Sequence, residues 1–293
     1  MNPCICSSLP QWFEAIVASQ QVMLSEGRRS ANTSADNFLN LTTPNSITVQ
    51  QFTEEWRRVL AGQFETQLRY GLTTSEERLQ FFRTIALRPQ DLQNCQILIA
   101  GCGLARLDFS LRDTGAKIVS LDASQIVEDI AKFAGPSIDH VFVRGDVLNL
   151  PFKDESFDLV YCEGVLHHTT NPKLGFQELA RVCRKGGRIG FYVYPNKRSL
   201  YRWIRYFLPG AWRAPRVMLF WTCWFLGIGL WPFSGEPNPR STAFTLYDTL
   251  CCRDLSEHSI EEMRQWISAN GLEEIQLEPS LKHSCVRKPT GSL

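Results

Sequence analysis

Between residues 95 and 195 the chain alternates brief apolar runs with amphipathic stretches. The runs at 97–100, 117–121, 141–143, 156–162 and 188–194 are short and rich in β-branched or aromatic residues. That pattern predicts strands buried on both faces of a sheet. Between the first two, Leu104, Leu107 and Leu111 recur at helical spacing, and Pro172–Val182 predicts a second helix. Strands alternating with helices predict a parallel α/β sheet. Near the C-terminus, 259–270 predicts a helix with Met263, Trp266 and Ile267 on its apolar side and Gly271 at its cap; 272–277 and 282–287 predict two last strands.

The N-terminal third is organised differently. Trp12, Phe13, Ile16 and Val17 fall on one side of a helix predicted over 10–24, and 25–44, rich in Ser, Asn and Thr, predicts a flexible connector. Phe52, Trp56, Val59, Leu60, Phe64 and Leu68 form a helical stripe expected to pack on the sheet; the alternative is a cap over a bound ligand. Thr74 and Glu77 make a capping-box pattern for a further helix that ends before Pro89.

The chemistry starts at the first strand. Gly101-Cys102-Gly103 follows it at once, and the second strand ends in Asp122. Glycines let the backbone turn sharply and a ligand lie against bare main chain, and an acid at that strand end accepts the hydroxyls of a ribose. The ordered stretches ILIAGCG, VSLDAS, GDVLNLPF, SFDLVYCEGVLHH and RKGGRIGFYVY resemble the class I S-adenosylmethionine-dependent methyltransferases, most closely the broad group that holds the quinone-biosynthesis enzymes. The resemblance covers 95–195 and resumes over 256–293. It implies a Rossmann-like, seven-stranded α/β sheet with helices on both faces, elaborated here by N-terminal helices and a helical insertion. The chain then divides into a flexible segment (1–45), cap helices (46–92), the methyltransferase core (93–195), the insertion (196–245) and the C-terminal part of the core (246–293).

The resemblance also implies roles. Gly101, Cys102 and Gly103 line the methionine part of S-adenosylmethionine, Asp122 and the adjacent Ala123 meet the ribose, and Asp146 accepts the adenine amino group beside a backbone contact from Val147. Leu150 and Phe152 pack near the adenine. Cys162 and Glu163 face the sulfonium. His167 is the candidate base, although the His167-His168 pair is chiefly structural in the family. Two positions depart from the family pattern. Ile99 stands where an acid is usual, and Ala105 where a third glycine is usual. A non-catalytic, methyltransferase-like binding protein therefore remains the alternative. A nicotinamide-dependent oxidoreductase fits less well, because Arg106 occupies the sixth position of G-x-G-x-x-G.

Charge and cysteines narrow the setting. A net charge of +1 gives no bulk attraction to nucleic acid, and no nucleic-acid partner is expected. The ten cysteines are scattered without paired CxxC spacing, so reduced thiols, no metal and a cytoplasmic protein are expected. The N-terminus shows no signal-peptide pattern.

The insertion is the unusual part. From 179 to 235 there is no Asp or Glu, while Lys197, Arg198, Arg202, Arg205, Arg213 and Arg216 recur. Leu200, Trp203, Ile204, Phe207 and Leu208 make one helical face, and 217–233 is almost wholly apolar but carries Gly227, Gly229 and Pro232 as breakers. One reading is a lid buried on the core. The other is peripheral membrane contact through 197–233, as an interfacial helix or hairpin. A small hydrophobic acceptor, lipid-like or quinone-like, is expected; whether O, N or C is methylated stays open.

Overall fold

The protein is described from a computed structural model, over residues 9–18, 38–41, 46–62, 72–196, 200–234, 238–278 and 283–290. The expected stretches around 19–37, Phe64, Leu68, Lys197 and Arg198 lie outside the described residues.

In chain order the elements are α1 (Gln11–Ile16), β1 (Phe38–Asn40), α2 (Ile47–Leu60), α3 (Thr74–Ile85), β2 (Gln96–Ala100), α4 (Arg106–Ser110), β3 (Lys117–Asp122), α5 (Ile126–Ala134), β4 (His140–Arg144), β5 (Phe157–Glu163), α6 (Pro172–Val182), β6 (Cys183–Tyr192), α7 (Leu200–Phe207), α8 (Arg216–Ser234), α9 (Pro239–Cys251), α10 (Ile260–Ala269), β7 (Glu273–Gln276) and β8 (Ser284–Arg287). One sheet runs in the order β1-β4-β3-β2-β5-β6-β8-β7. Strands β1 to β6 pair in parallel, and β8 is antiparallel to both β6 and β7. The expected antiparallel edge is therefore present.

Side-chain alternation separates two cores. Leu98, Ala100, Val119, Leu121, Val160 and Cys162 pack on one face, and Ile97, Ile99, Ile118, Leu159 and Tyr161 on the other. Both faces are buried, as a parallel sheet flanked by helices requires.

The sheet has eight strands where seven were expected. The addition, β1, lies inside the stretch read as connector. Phe38 and Leu39 are buried there, and Phe38 pairs with Phe142 to cover the edge of β4. Two apolar residues in a polar stretch are too short a signal for sequence periodicity. Helix α1 also stops earlier than expected, at Ile16. Val17 leaves the helix to bridge Phe152, and Lys153 N–H donates to the Ile16 carbonyl at 2.8 Å.

Helix α3 carries a complete capping box one residue earlier than the sequence suggested. Thr73 Oγ1 accepts from Glu76 N–H, and the Glu76 carboxylate accepts from Thr73 N–H at 2.8 Å. Glu77 is instead buried beside Arg106, at 3.8 Å.

The insertion folds as α7, α8 and α9. Gly227, Gly229 and Pro232 were expected to break the apolar run, yet α8 is one continuous helix of 19 residues. At Gly227 a Cβ would stand 2.8 Å from the backbone of Ala243, so the glycine permits close approach to α9 rather than a turn. A third apolar cluster joins α8 (Leu219, Phe220, Cys223), α9 (Leu246, Tyr247, Leu250) and Val59 of α2. The aromatic stripe of α2 thus packs on the insertion through Phe52, Trp56 and Val59, while Trp56 also meets the core of the sheet.

Candidate functional site

A cleft opens at the carboxyl ends of β2 to β5, where doubly wound sheets place ligands. Its wall includes Gly101, Asp122, Ala123, Asp146, Val147 and Glu163 of the residues expected at a cofactor site. Phe52 and Trp56 of α2 also line it, so the alternative reading of that helix as a cap is the one its placement favours.

The glycine turn is built by constraint. Gly101 N–H and Cys102 N–H both donate to the Leu121 carbonyl, pinning the turn to β3. Gly101 has φ +82°, and a Cβ there would overlap Cγ2 of Val165. Gly103 has φ +52° and lies against Trp56, where a Cβ would stand 3.0 Å from the indole. Ala105, in the place of the third glycine, is itself left-handed with φ 53°. The backbone of the family pattern is therefore kept, at a cost of about 1 kcal/mol for a non-glycine residue.

Four carboxylates reach the cleft, and the fourth, Asp254, accepts from the Thr48 hydroxyl at 2.7 Å. Asp122 is held twice: Oδ2 accepts from Gly103 N–H at 2.9 Å, and Oδ1 accepts from Ser124 N–H at 2.8 Å and its hydroxyl at 2.6 Å. Asp146 Oδ1 accepts from Leu148 N–H at 2.9 Å; burial pushes its carboxyl above the usual range, and that hydrogen bond opposes the shift. Glu163 accepts from the Tyr161 hydroxyl at 3.0 Å and from Gln80 Nε2 at 3.5 Å. The loop carrying Asp146 is fixed from behind by Arg181, which donates to the carbonyls of Leu150 and Phe152 and to Glu178.

Five of the residues expected at the cofactor lie outside the cleft wall. Cys102 and Cys162 are buried in the two sheet cores and do not reach the cleft. Strand alternation explains Cys162, since Glu163 on the opposite face is the residue that faces the cleft. Gly103 is outside the cleft lining, and its N–H donates to Asp122. Leu150 and Phe152 belong to the core beneath the loop, and Leu148 takes the cleft position. Ile99 is likewise a core residue, 5% exposed.

His167, the expected base, is fully buried and outside the cleft lining. Its ring stacks on Tyr194 at 3.7 Å, and Nδ1 accepts from Tyr194 N–H at 3.2 Å. Burial, with His168 and His258 nearby, pushes its pKa well down. His168 is the histidine that lines the cleft, edge-on to Phe52. Its Nε2 lies 3.8 Å from Asp248 Oδ1, and Asp248 also accepts from the Tyr194 hydroxyl at 2.8 Å. His168, Asp248 and Cys252 bring three ligand-type atoms within 4.8 Å of one another, although the sequence spacing suggested no metal cluster. Within the group Cys252 Sγ donates to Asp248 Oδ1 at 3.7 Å. Asp248 comes from α9, 80 residues away in a segment without a motif, so no sequence signal announced it. No disulfide joins the described cysteines.

Residues 98–191 match a methyltransferase domain family. The demethylmenaquinone methyltransferase of Paenarthrobacter aurescens is 34% identical over 109 residues, which is 36% of this chain and 42% of that protein. The malonyl-(acyl-carrier protein) O-methyltransferase of Pectobacterium atrosepticum is 31% identical over 118 residues, 40% of this chain and 44% of that protein. The similarity thus spans less than half the length of these relatives. A crystal structure from Galdieria sulphuraria, of a candidate sarcosine dimethylglycine methyltransferase, shares the fold with a TM-score of 0.50 at 14% identity, over 76% of each chain. With the glycine turn, the acid at the end of β3 and the sheet order, these matches liken residues 98–191 to a methyltransferase domain.

Proposed function

We propose that the protein transfers a methyl group from S-adenosylmethionine to a small hydrophobic acceptor. The observation that carries this is the composition of the cleft: carboxylates at its base, and Val49, Phe52, Trp56, Leu148 and Val165 around them. The residues present fit the cofactor. The bare backbone at Gly101, where no side chain has room, suits a chain laid against it, and Asp122 suits a ribose. Asp146, with Val147, suits the adenine, and its partial burial favours pairing with an uncharged amino group. Glu163, at the end of β5, is the carboxylate that suits the methionine end, since Ile99 contributes none.

S-adenosylmethionine, when bound, supplies a methyl activated by a sulfonium and leaves as a neutral thioether. The chain's own residues then have three tasks. The carboxylates orient the two ends of the cofactor, and alignment of this kind lowers the barrier by several kcal/mol. Phe52 and Trp56 exclude water. An acceptor hydroxyl or acidic carbon must also lose its proton, and His168 is the titratable ring at the cleft wall. Quinone precursors match the apolar wall, and two of the similar proteins are named for that chemistry. The malonyl relative shows that related domains carry other acceptors.

The test has two stages. Calorimetry with S-adenosylmethionine and the full chain should give binding that Asp122→Ala weakens. Mass spectrometry of small molecules from cells with and without the protein should then reveal a methylated apolar product. Binding without any methylated product would favour the non-catalytic reading; no binding would remove both.

A further inference from the structure

Helices α7 and α8 expose an apolar surface that nothing among the described residues covers. Each leans on α9 through one side only: Ile204 from α7, and Leu219, Phe220 and Cys223 from α8. The other sides are open. Trp203, Tyr206 and Phe207 are 52%, 73% and 69% exposed, and Trp221, Phe225 and Phe233 are 51%, 68% and 80% exposed. Val217, Met218 and Ile228 extend the surface. A soluble monomer rarely leaves this much aromatic and aliphatic surface in water. Helix α8 is also the one described helix long and apolar enough to cross a membrane.

Charge identifies the occupant. No acidic residue occurs between 179 and 235. Exposed arginines stand around the helices, with guanidinium groups over indole rings: Arg213 and Arg253 at Trp212, and Arg240 at Trp224. Aromatic rings at a polar boundary, cations beside them and an uncharged apolar centre complement a phospholipid surface. A second copy of the chain would present the same cations to themselves.

We infer that α7 and α8 dock in the plane of a phospholipid bilayer. Helix α8 lies along the surface rather than across it, because its Leu219, Phe220, Cys223 and Gly227 side is held by α9. The structure also alters the expected balance of forces. Arg205 and Arg216 belong to the recurring basic residues of the insertion, but Arg205 donates to the carbonyls of Thr249, Cys252 and Arg253, and Arg216 pairs with Glu54. They hold the insertion together and do not face lipid. Docking is therefore driven mainly by apolar burial and resists salt. It is independent of methyl transfer, since cofactor binding and vesicle binding fail separately.

Co-sedimentation of the full chain with phosphatidylcholine vesicles, and with vesicles containing phosphatidylglycerol, tests this. Wild type should sediment with both, more tightly with the anionic set, and should remain bound at high salt. Trp221→Glu with Phe225→Glu should weaken partitioning about a hundredfold, because two aromatic burials are lost. Both positions are exposed, and unchanged S-adenosylmethionine affinity checks that the variant is folded. Wild type that stays in the supernatant overturns the inference, as does binding that vanishes in high salt. A dimer in sedimentation velocity that the double variant dissociates would assign the surface to a second copy instead. Retention on membranes through an alkaline carbonate wash would overturn the in-plane placement.

Discussion

The Asp122 carboxylate accepts a hydrogen bond from Gly103 N–H at 2.9 Å, so the acid suited to the ribose also holds the glycine turn in shape. Its substitution has two consequences that can be told apart. Asp122→Ala should weaken S-adenosylmethionine binding by about 2–3 kcal/mol in calorimetry. Asp122→Asn keeps an acceptor for Gly103 N–H, so it should preserve the melting temperature while still losing affinity. Equal melting losses in the two variants would contradict the dual role.

Asp146 links affinity to pH. Its raised carboxyl pKa, caused by burial, means that the accepting, ionised form is lost above the usual Asp range as pH falls. Cofactor affinity should therefore decline on mild acidification, and Asp146→Asn should bind weakly with little pH dependence. His167→Ala should leave affinity nearly intact, because that ring lies outside the cleft.

The turn at Gly101 combines a positive φ with steric exclusion. Gly101→Ala should destabilise the fold and abolish detectable cofactor binding. Val165→Ala in the same chain removes the overlapping methyl and should recover part of the stability, leaving about 1–2 kcal/mol of backbone strain. Thermal melts of the single and double variants would show the recovery; none at all would mean that Val165 is not the obstacle.

His140 sets an acid limit on stability. It is buried in a network where Arg112 Nε donates to Nδ1 at 2.9 Å and Ser120, itself bonded to Asp108, meets Nε2 at 2.6 Å. Burial, aided by Arg112, lowers its pKa to about 3. The unfolded chain takes up this proton near pH 6.5 and the folded chain does not. The stability contributed by neutral His140 is thus complete above that pH and is lost as pH falls toward 3, by up to ~1.4 kcal/mol per pH unit. His140→Gln should flatten this stretch of a melting-temperature profile.

How much of this was legible in the sequence depended on periodicity and on chain distance. The buried parallel strands, the glycine turn and Asp122 announced themselves because their signals are local and their intervals short. Cys162 and Glu163 needed the strand's facing, which a run apolar on both sides conceals. Strand β1 is three residues long and carries no period. Asp248 meets His168 only through the packing of α9 on the core, a relationship no motif encodes. Gly227 looked like a breaker because its reason for being glycine, the backbone of Ala243, lies on another helix.

The cover of the cleft is made from both flanks of the core. Trp56 and Val59 come from α2, before β2 to β6, Phe244 and Leu250 come from α9, after them, and Trp56 meets Phe244 at 6.4 Å between ring centroids. Opening that cover would require two whole helices to part, not a hinge loop to swing. Residence time should track the cohesion of that apolar seam, and a smaller side chain at Val59 or Leu250 would speed exchange without touching any bound molecule.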